Sequence, residues 1–357
     1  MIESAIARTS DLLSTHAAGG FADVWHEMIF PRAAGFTGNA ERQCGDVFAR
    51  AVLGCVLLDI AELTEEFDAA RAAEWREIAR READHVASRK LADRHGGWSY
   101  FPDLPELPPD ADSLAAALVL FVRAAPHHVP LCATAVDLAV HGARADGTLE
   151  TWIVAPDDDP SARARMQWGI DTCWGRGVDA DVLAHFYYAL QLADGSRYAT
   201  WIDRGTAFLV GNQHADGAWD CTWYAGAAHM IVLCTQLLRA CGSGLPAIDR
   251  ARVFLESTER AEGGWGAPAR LPLETAQSMW ALALTTGGGR AALERGCRAL
   301  LDMQEADGSW RPSPWIRMPI GRATGVVTRV ATYQSTLLTS AFCLRALAAA
   351  RRALETA

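Results

Sequence analysis

Three stretches of this chain repeat one register at a spacing of about 45 residues. Residues 204–219 read RGTAFLVGNQHADGAW. Residues 250–265 (RARVFLESTERAEGGW) keep Phe254-Leu255 and the Gly263-x-Trp265 ending, with Glu259 standing where the first has Gln213. Residues 295–310 (RGCRALLDMQEADGSW) keep Gly296, Leu300, Gln304 and Gly308-x-Trp310. A fixed period of roughly 20–50 residues means a stacked or circular array of supersecondary units. Gly in Gly-x-Trp frees the backbone to turn, the Trp covers the turn, and the Gln satisfies free backbone groups at the next helix end.

The apolar runs sort into two kinds of helix. One is Ala-rich and apolar nearly all round: 44–63, 110–124, 180–193, 222–241, 273–287 and 331–350. The other carries charges along one stripe: 70–93, 128–143, 196–211, 247–259 and 290–304, with the N-terminal segment 2–15. A helix hydrophobic on every face is buried between neighbours, whereas a striped one covers the outside. The two kinds alternate, and turns such as Ala-Asp-Gly-x-Trp favour antiparallel hairpins. Six buried helices ringed by six outer ones make an all-α (α/α)6 barrel, expected as a single domain over residues 1–357. An open solenoid would expose a flat face on every repeat, and the buried set is too uniformly apolar for that.

Composition narrows the function. The net charge of −10 argues against general nucleic-acid binding, which needs a basic face. Nine cysteines form no C-x-x-C pair or Cys/His metal spacing, and the odd count argues against a disulfide framework. The start, MIESAIARTSDLLSTH, lacks the basic-then-apolar pattern of a secretory signal, and no stretch approaches the ~20 apolar residues that span a bilayer. A cytoplasmic location is the expectation.

The run Arg-Gly-x-x-Phe-Leu-x-x-x-Gln-x-x-x-Gly-x-Trp resembles the QW motif of squalene–hopene and oxidosqualene cyclases. Residues 204–219 match it throughout; 250–265 and 295–310 match it in part. The resemblance implies the toroid that those enzymes share with class II diterpene cyclases and with the β subunits of protein prenyltransferases. Such cyclases usually join two barrels; this chain has length for one.

The sharpest chemical signal is GGWSYFPDLPELPPDADSLAAAL, residues 96–118. Pro108 and Pro109 stiffen the approach, and Asp110-Ala-Asp112-Ser113 opens an inner helix. N-capping explains one Asp at a helix start, worth typically ~1 kcal/mol, but not a pair opening the most apolar kind of helix. The pair is similar to the Asp-x-Asp-Asp motif of class II cyclases. The resemblance implies that Asp112 matches the proton-donating middle Asp and Asp110 the first, with Ser113 departing from the last. Protonating an alkene needs a neutral, poorly solvated carboxyl; burial raises an Asp pKa, and a neighbouring carboxylate raises one member further. The carbocation then needs aromatic faces, which stabilise it through their quadrupole without trapping it. Candidates for that wall are Tyr100, Phe101, Trp174, Tyr187, Trp223, Tyr224, Trp280 and Tyr333, with Phe186, Tyr188 and Trp315 in the same helix starts and loops.

Asp179-Ala-Asp181 opens the third inner helix, Asp46 the first and Glu274 the fifth, and these would gather at one mouth as a polar rim around an apolar cavity. His185 and His229 lie further along inner helices, within reach of a carboxylate. The loop 311–330 carries Arg311, Arg317, Arg322 and Arg329 and no acid; Arg317 and Arg322 are candidate clamps for an anionic head group, on a lid stiffened by Pro312, Pro314 and Pro319. A prenyltransferase zinc site would need Asp220, Cys221 and His229 to converge, which a shared helix prevents, so no metal site is expected. A glycosidase could use Asp112 with Asp181, but the pocket reads too apolar for sugar.

The expectation is therefore a class II terpene-cyclase-like enzyme, an isomerase or lyase acting on a small isoprenoid. It needs no cofactor, except Mg2+ if the substrate is a diphosphate. Its alternatives are a toroid that only binds a prenylated or apolar ligand, and a carbohydrate-active (α/α)6 enzyme. No nucleic-acid partner is expected; a homodimer is left open.

Overall fold

The computed structural model describes residues 1–37, 42–285 and 289–355. Six inner helices form a closed ring: α2 (Val47–Thr64), α4 (Ala111–Ala124), α7 (Ala180–Asp194), α9 (Ala228–Ala240), α11 (Pro272–Ala283) and α13 (Thr336–Glu355). Each packs on the next, and α13 packs back on α2. Outside them stand α1 (Ile2–Ala18), α3 (Ala69–Ser88), α5 (Ala133–His141), α8 (Ala199–Gly211), α10 (Leu245–Thr258) and α12 (Arg290–Met303). Helix α1 lies against α13, so the N-terminal helix supplies the outer partner of the C-terminal one. This is the (α/α)6 barrel that the alternation of apolar and striped helices requires.

Local sequence explains the layers. In α12 the buried residues Leu293, Gly296, Cys297 and Leu300 recur every three or four positions, and Arg290, Glu294 and Arg298 fall on the other side. In α2 buried residues occur all round, from Phe48 through Leu53 and Val56 to Ile60.

The repeated Trp and Gln act as staples. The indole N–H of Trp219 donates to Leu209 O, that of Trp265 to Leu255 O and that of Trp310 to Leu300 O, each at 2.8 Å. Each indole thus adds a donor to a carbonyl in the last turn of its own outer helix. Trp98 does the same to Val86 O at 2.7 Å, although residues 83–98 carry no full copy of the motif. The Gln or Glu of each unit reaches the next outer helix: Gln213 to Arg250, Glu259 to Arg295, and Gln304 to Arg8, which closes the ring between α12 and α1. Gly217 and Gly308 hold φ of +98° and +89°, and a Cβ at either would collide with the backbone of the next outer helix.

The structure departs from the expected helices in four places. Residues 44–45 and 331–333, expected as the first turns of inner helices, lie in strands instead. They pair in antiparallel hairpins β1–β2 (His26–Ile29 with Arg42–Gly45) and β3–β4 (Ile316–Ile320 with Arg329–Tyr333). Helix α9 begins at Ala228, because Tyr224 bridges to Ile316 and Gly226 turns at φ +77°. Helix α5 is preceded by a 3-10 turn over Pro126–Cys132, where Pro130 supplies no N–H. An additional helix, α6 (Pro160–Gly169), capped by Asp159, sits in a stretch whose acidic Asp157-Asp158-Asp159-Pro160 start reads as a loop. It runs into a π turn, Ile170–Trp174.

Candidate active site

The start of α4 is fixed by its backbone. Asp110 N donates to Trp98 O, Ala111 N to Thr151 O, and Ile153 N to Pro109 O. The Asp110 carboxylate accepts the Ser113 backbone N–H at 2.6 Å and the Ser113 hydroxyl at 2.9 Å, so Asp110 is the helix N-cap. That leaves Asp112 free of capping duty. Its Oδ1 lies 2.6 Å from His185 Nδ1 on α7, and its Oδ2 accepts the Tyr224 hydroxyl at 2.5 Å. Burial pushes the Asp110 carboxyl up to about 7, and the Asp112 carboxylate adds to that against the Ser113 hydrogen bonds. Burial, helped by Asp112, also holds the Tyr224 phenol well above its usual range, so Tyr224 stays a donor.

Asp110 and Asp112 open onto a cavity at the mouth of the ring. Its wall is Phe48, Tyr100, Trp152, Trp174 and Trp223, with Leu107, Val182, Ile316 and Met318 between the rings and Thr151 as the other polar residue. Of the candidate aromatics, Tyr100, Trp174 and Trp223 line this cavity. Tyr224 touches the acid from behind the wall. Phe48, Trp152, Thr151, Leu107, Val182, Ile316 and Met318 were not foreseen. Trp152 had a faint signal, since it follows Gly147 as Trp219 follows Gly217, but at a longer spacing.

Seven other candidate aromatics lie away from the cavity wall, Phe186, Tyr188 and Trp315 among them. Phe101 packs behind Tyr100 among the rings of His26 and Phe30. Tyr333 stacks on His26 with centroids 4.9 Å apart. Tyr187 sends its hydroxyl to Gly147 O, and its ring packs on Gly205 of α8. Trp280 lies under the Arg345 guanidinium, 4.7 Å from the ring centroid.

The second acidic pair is structural in its contacts. Asp181 is fully buried and accepts the backbone N–H groups of Thr222 (3.0 Å) and Trp223 (2.7 Å), with the Cys221 thiol at 3.4 Å. Burial raises its carboxyl to about 7, with Asp179 adding. Asp179 takes both arms of Arg322 (2.9 and 2.6 Å), the Thr151 hydroxyl and the Trp223 indole N–H.

The arginines of the hairpin are placed differently from the expected clamp. Arg322 is spent on Asp179 and covers the Trp223 ring at 5.5 Å. Ile316 and Met318 line the cavity, so strand alternation turns Arg317 to the opposite face. Arg311 pairs with Glu305 in solvent, and Arg329 is exposed. Asp46 bonds His85 of α3 at 2.7 Å, and Glu274 sits under the 226–228 turn, its carboxyl raised by burial to about 7. Asp220, Cys221 and His229 do not converge: Asp220 meets His214, Cys221 turns to Asp181, and His229 Nδ1 lies 3.0 Å from Gln277. Among the described residues, a group with metal-ligand spacing (Asp84, His127 and His128) lies where α3 meets the turn before α5.

The closed (α/α)6 ring thus carries an apolar aromatic chamber with a buried carboxyl in its wall. Residues 176–352 match the model of the squalene-hopene cyclase C-terminal domain. Drimenyl diphosphate synthase of Streptomyces showdoensis is 26% identical over 152 residues, 40% of this chain and 28% of that protein. Squalene–hopene cyclase of Bradyrhizobium diazoefficiens is 28% identical over 136 residues, 34% of this chain and 21% of that protein. The similarity thus spans less than a third of either relative. The type II terpene cyclase MstE from Scytonema superposes with a TM-score of 0.70 at 18% identity, covering 97% of each chain; it has also been solved with the substrate geranylgeranyl dihydroxybenzoate. Residues 176–352 are thus similar to squalene–hopene cyclases, and the barrel as a whole shares the fold of type II terpene cyclases. No helix among the described residues is long and apolar enough to cross a membrane.

Proposed function

We propose that this protein is a protonation-initiated class II terpene cyclase, an isomerase or lyase in which Asp112 is the general acid. One observation carries the reading: Asp112 is the carboxyl that meets the aromatic cavity while its two oxygens are held by side chains, His185 and Tyr224, not by backbone. The Asp112 O–H bond breaks as the π pair of an isoprenoid alkene, or the oxygen of an epoxide, takes the proton. Successive double bonds attack the resulting cation. It ends by losing a proton or by capturing water, which then loses one. Phe48, Tyr100, Trp152, Trp174 and Trp223 offer π faces along that path and no nucleophile.

Among the described residues no lysine or arginine lines the cavity. The cavity therefore takes the uncharged isoprenoid tail, and any anionic head group stays outside, where Mg2+ would serve a diphosphate. The apolar wall also speaks against a sugar. The purified protein, incubated with C10 to C30 isoprenoids with and without diphosphate, should yield cyclic products by mass spectrometry. Asp112→Asn should yield none. A wild type that retains an isoprenoid unchanged would make the barrel a binding protein instead.

A further inference from the structure

Three seams of the outer layer are tied by a Gln or Glu that reaches the next outer helix: Gln213 to Arg250, Glu259 to Arg295 and Gln304 to Arg8. In each repeat that residue stands six places before the Trp. The seam between α3 and α5 lacks it. Six places before Trp98 stands Ala92, which has no polar side-chain group. This seam is also where the outer layer holds least regular helix. Helix α5 spans nine residues, and the 3-10 turn Pro126–Cys132 stands where its first turns were expected. Hydrogen bonds of a 3-10 turn have poorer geometry than those of an α-helix.

A cluster of another kind bridges this seam. Asp84 of α3 meets His127 and His128 of the turn, and one donor atom from each lies within 4.8 Å of the other two. His128 Nε2 is 2.9 Å from Asp84 Oδ1. The two imidazole rings lie 4.1 Å apart at 46°, on a turn flanked by Pro126 and Pro130, whose rings fix φ. Arg80, one helical turn earlier, donates to Asp84 Oδ2 at 2.8 Å and leaves Oδ1 to the histidines.

We propose that Asp84, His127 and His128 form a site for a zinc-class divalent cation, which fastens α3 to the turn before α5. Two imidazole nitrogens and one carboxylate oxygen are a donor set that zinc takes with water in its fourth position. Magnesium prefers an octahedron of oxygens and matches the set poorly. Zinc bonds of about 2.0–2.2 Å put tetrahedral ligand atoms about 3.3–3.5 Å apart, so a cluster already within 4.8 Å closes by small side-chain shifts. Arg80 is the outer partner that orients the ligating carboxylate. His127 is exposed and the other two are partly so, which opens the site to ions from solvent. His128 also packs on Phe121 of α4, with ring centroids 5.4 Å apart, so the cation would steady an inner helix as well. The turn follows the C-terminal end of α4, whereas Asp110 and Asp112 open its N-terminal end, about 20 Å away along fourteen residues. The part of the cation is therefore structural, and it is independent of the role of Asp112.

The test uses the full chain without a histidine tag, stripped of metal by EDTA and titrated with Co2+, whose visible absorption reports a site of low coordination number. One Co2+ should bind per chain and be displaced by Zn2+ but not by Mg2+. His127→Ala and His128→Asn should each weaken that binding at least about tenfold, whereas His141→Ala, at the far end of α5, should not. His127 is exposed, so its variant keeps the fold even if His128→Asn loosens the packing on Phe121. Zn2+ should raise the wild-type melting temperature by several degrees and leave that of His127→Ala unchanged. Absence of saturable Co2+ binding overturns the site. Binding that survives in both histidine variants also overturns it, because the ion then sits elsewhere on the surface. A bound ion that leaves the melting temperature unchanged overturns the fastening role.

Discussion

Two inner helices of this barrel begin with the same three residues, Asp-Ala-Asp, and the fold uses them in opposite ways. At α4 the first Asp caps the helix through Ser113, and the second faces the chamber between two side chains, His185 and Tyr224. At α7 the residue matching Ser113 is Val182, which has no hydroxyl and whose backbone N–H goes to Asp181, and Asp179 turns instead to Arg322, Thr151 and Trp223. Its partner Asp181 is tied to backbone N–H groups that cannot move with a changing charge. A carboxyl becomes available for proton transfer when its partners can follow its protonation state and one of its edges meets the ligand space. Asp112 is 8% exposed and lines the chamber; Asp181 is 0% exposed and does not.

The largest contrast should come from parallel substitutions. Asp112→Asn should lower cyclisation ~10²–10⁴-fold, the usual worth of a general acid, with an unchanged melting temperature. Asp181→Asn should do the reverse. Swapping an oxygen that accepts two N–H groups for an amide costs ~1–3 kcal/mol of stability and leaves the rate per folded molecule within a few-fold. Loss of turnover in folded Asp181→Asn, with turnover kept in Asp112→Asn, would exchange the two roles.

Arg322→Ala sharpens the structural side. It removes the cation from Asp179, a carboxylate whose side chain is 1% exposed. Breaking a buried pair from one side costs ~3–5 kcal/mol, and with Arg322 partly exposed the lower end applies. The measurement is a denaturant midpoint. A midpoint unchanged from wild type would mean that Asp179 finds water or another partner, and the hairpin would then be only loosely tied to the barrel.

Tyr224→Phe is smaller and falls on the catalytic side. It deletes one donor to Asp112 and nothing else, so kcat should fall about ten- to a hundredfold with KM unchanged, as for a hydrogen bond to a charged group worth ~1.5–3 kcal/mol. A raised KM with constant kcat would assign Tyr224 to substrate packing.

The barrel was legible because its signal is periodic and redundant. Alternating apolar and striped helices, with Gly217-x-Trp219 and its two copies, specify ring and turns many times over. Asp112 was legible through its local motif. The wall around it was harder to see, because a cavity is defined by what converges and not by neighbours in sequence. Phe48, Trp152 and Ile316 come from three distant segments. Ile316 and Met318 reach the chamber only because β3 pairs with β4 and with the segment at Tyr224. Arg322 reads as a ligand clamp in sequence because nothing there shows that Asp179, far away in the chain, has already claimed it.

The smallest expected effect is shared by both acidic pairs, which makes it a control on the contrast. Burial raises Asp110 and Asp181 from 3.8 to about 7, and Glu274 from 4.5 to about 7. Between the unfolded and folded values the native state holds protons that the unfolded chain has lost. Stability therefore falls as pH rises through that interval, is fully present below about pH 4, and levels off above about 7. One pKa unit is worth about 1.4 kcal/mol, so even a third of the shift in one group is measurable. Melting temperature should drop from pH 5 to pH 7.5, and Asp181→Asn should flatten that slope by removing one titrating group. Asp110→Asn should flatten it similarly while retaining more turnover than Asp112→Asn, since Asp110 caps the helix and does not deliver the proton. A slope that survives both substitutions would place the pH dependence elsewhere, with Glu274 as the next carboxyl to replace.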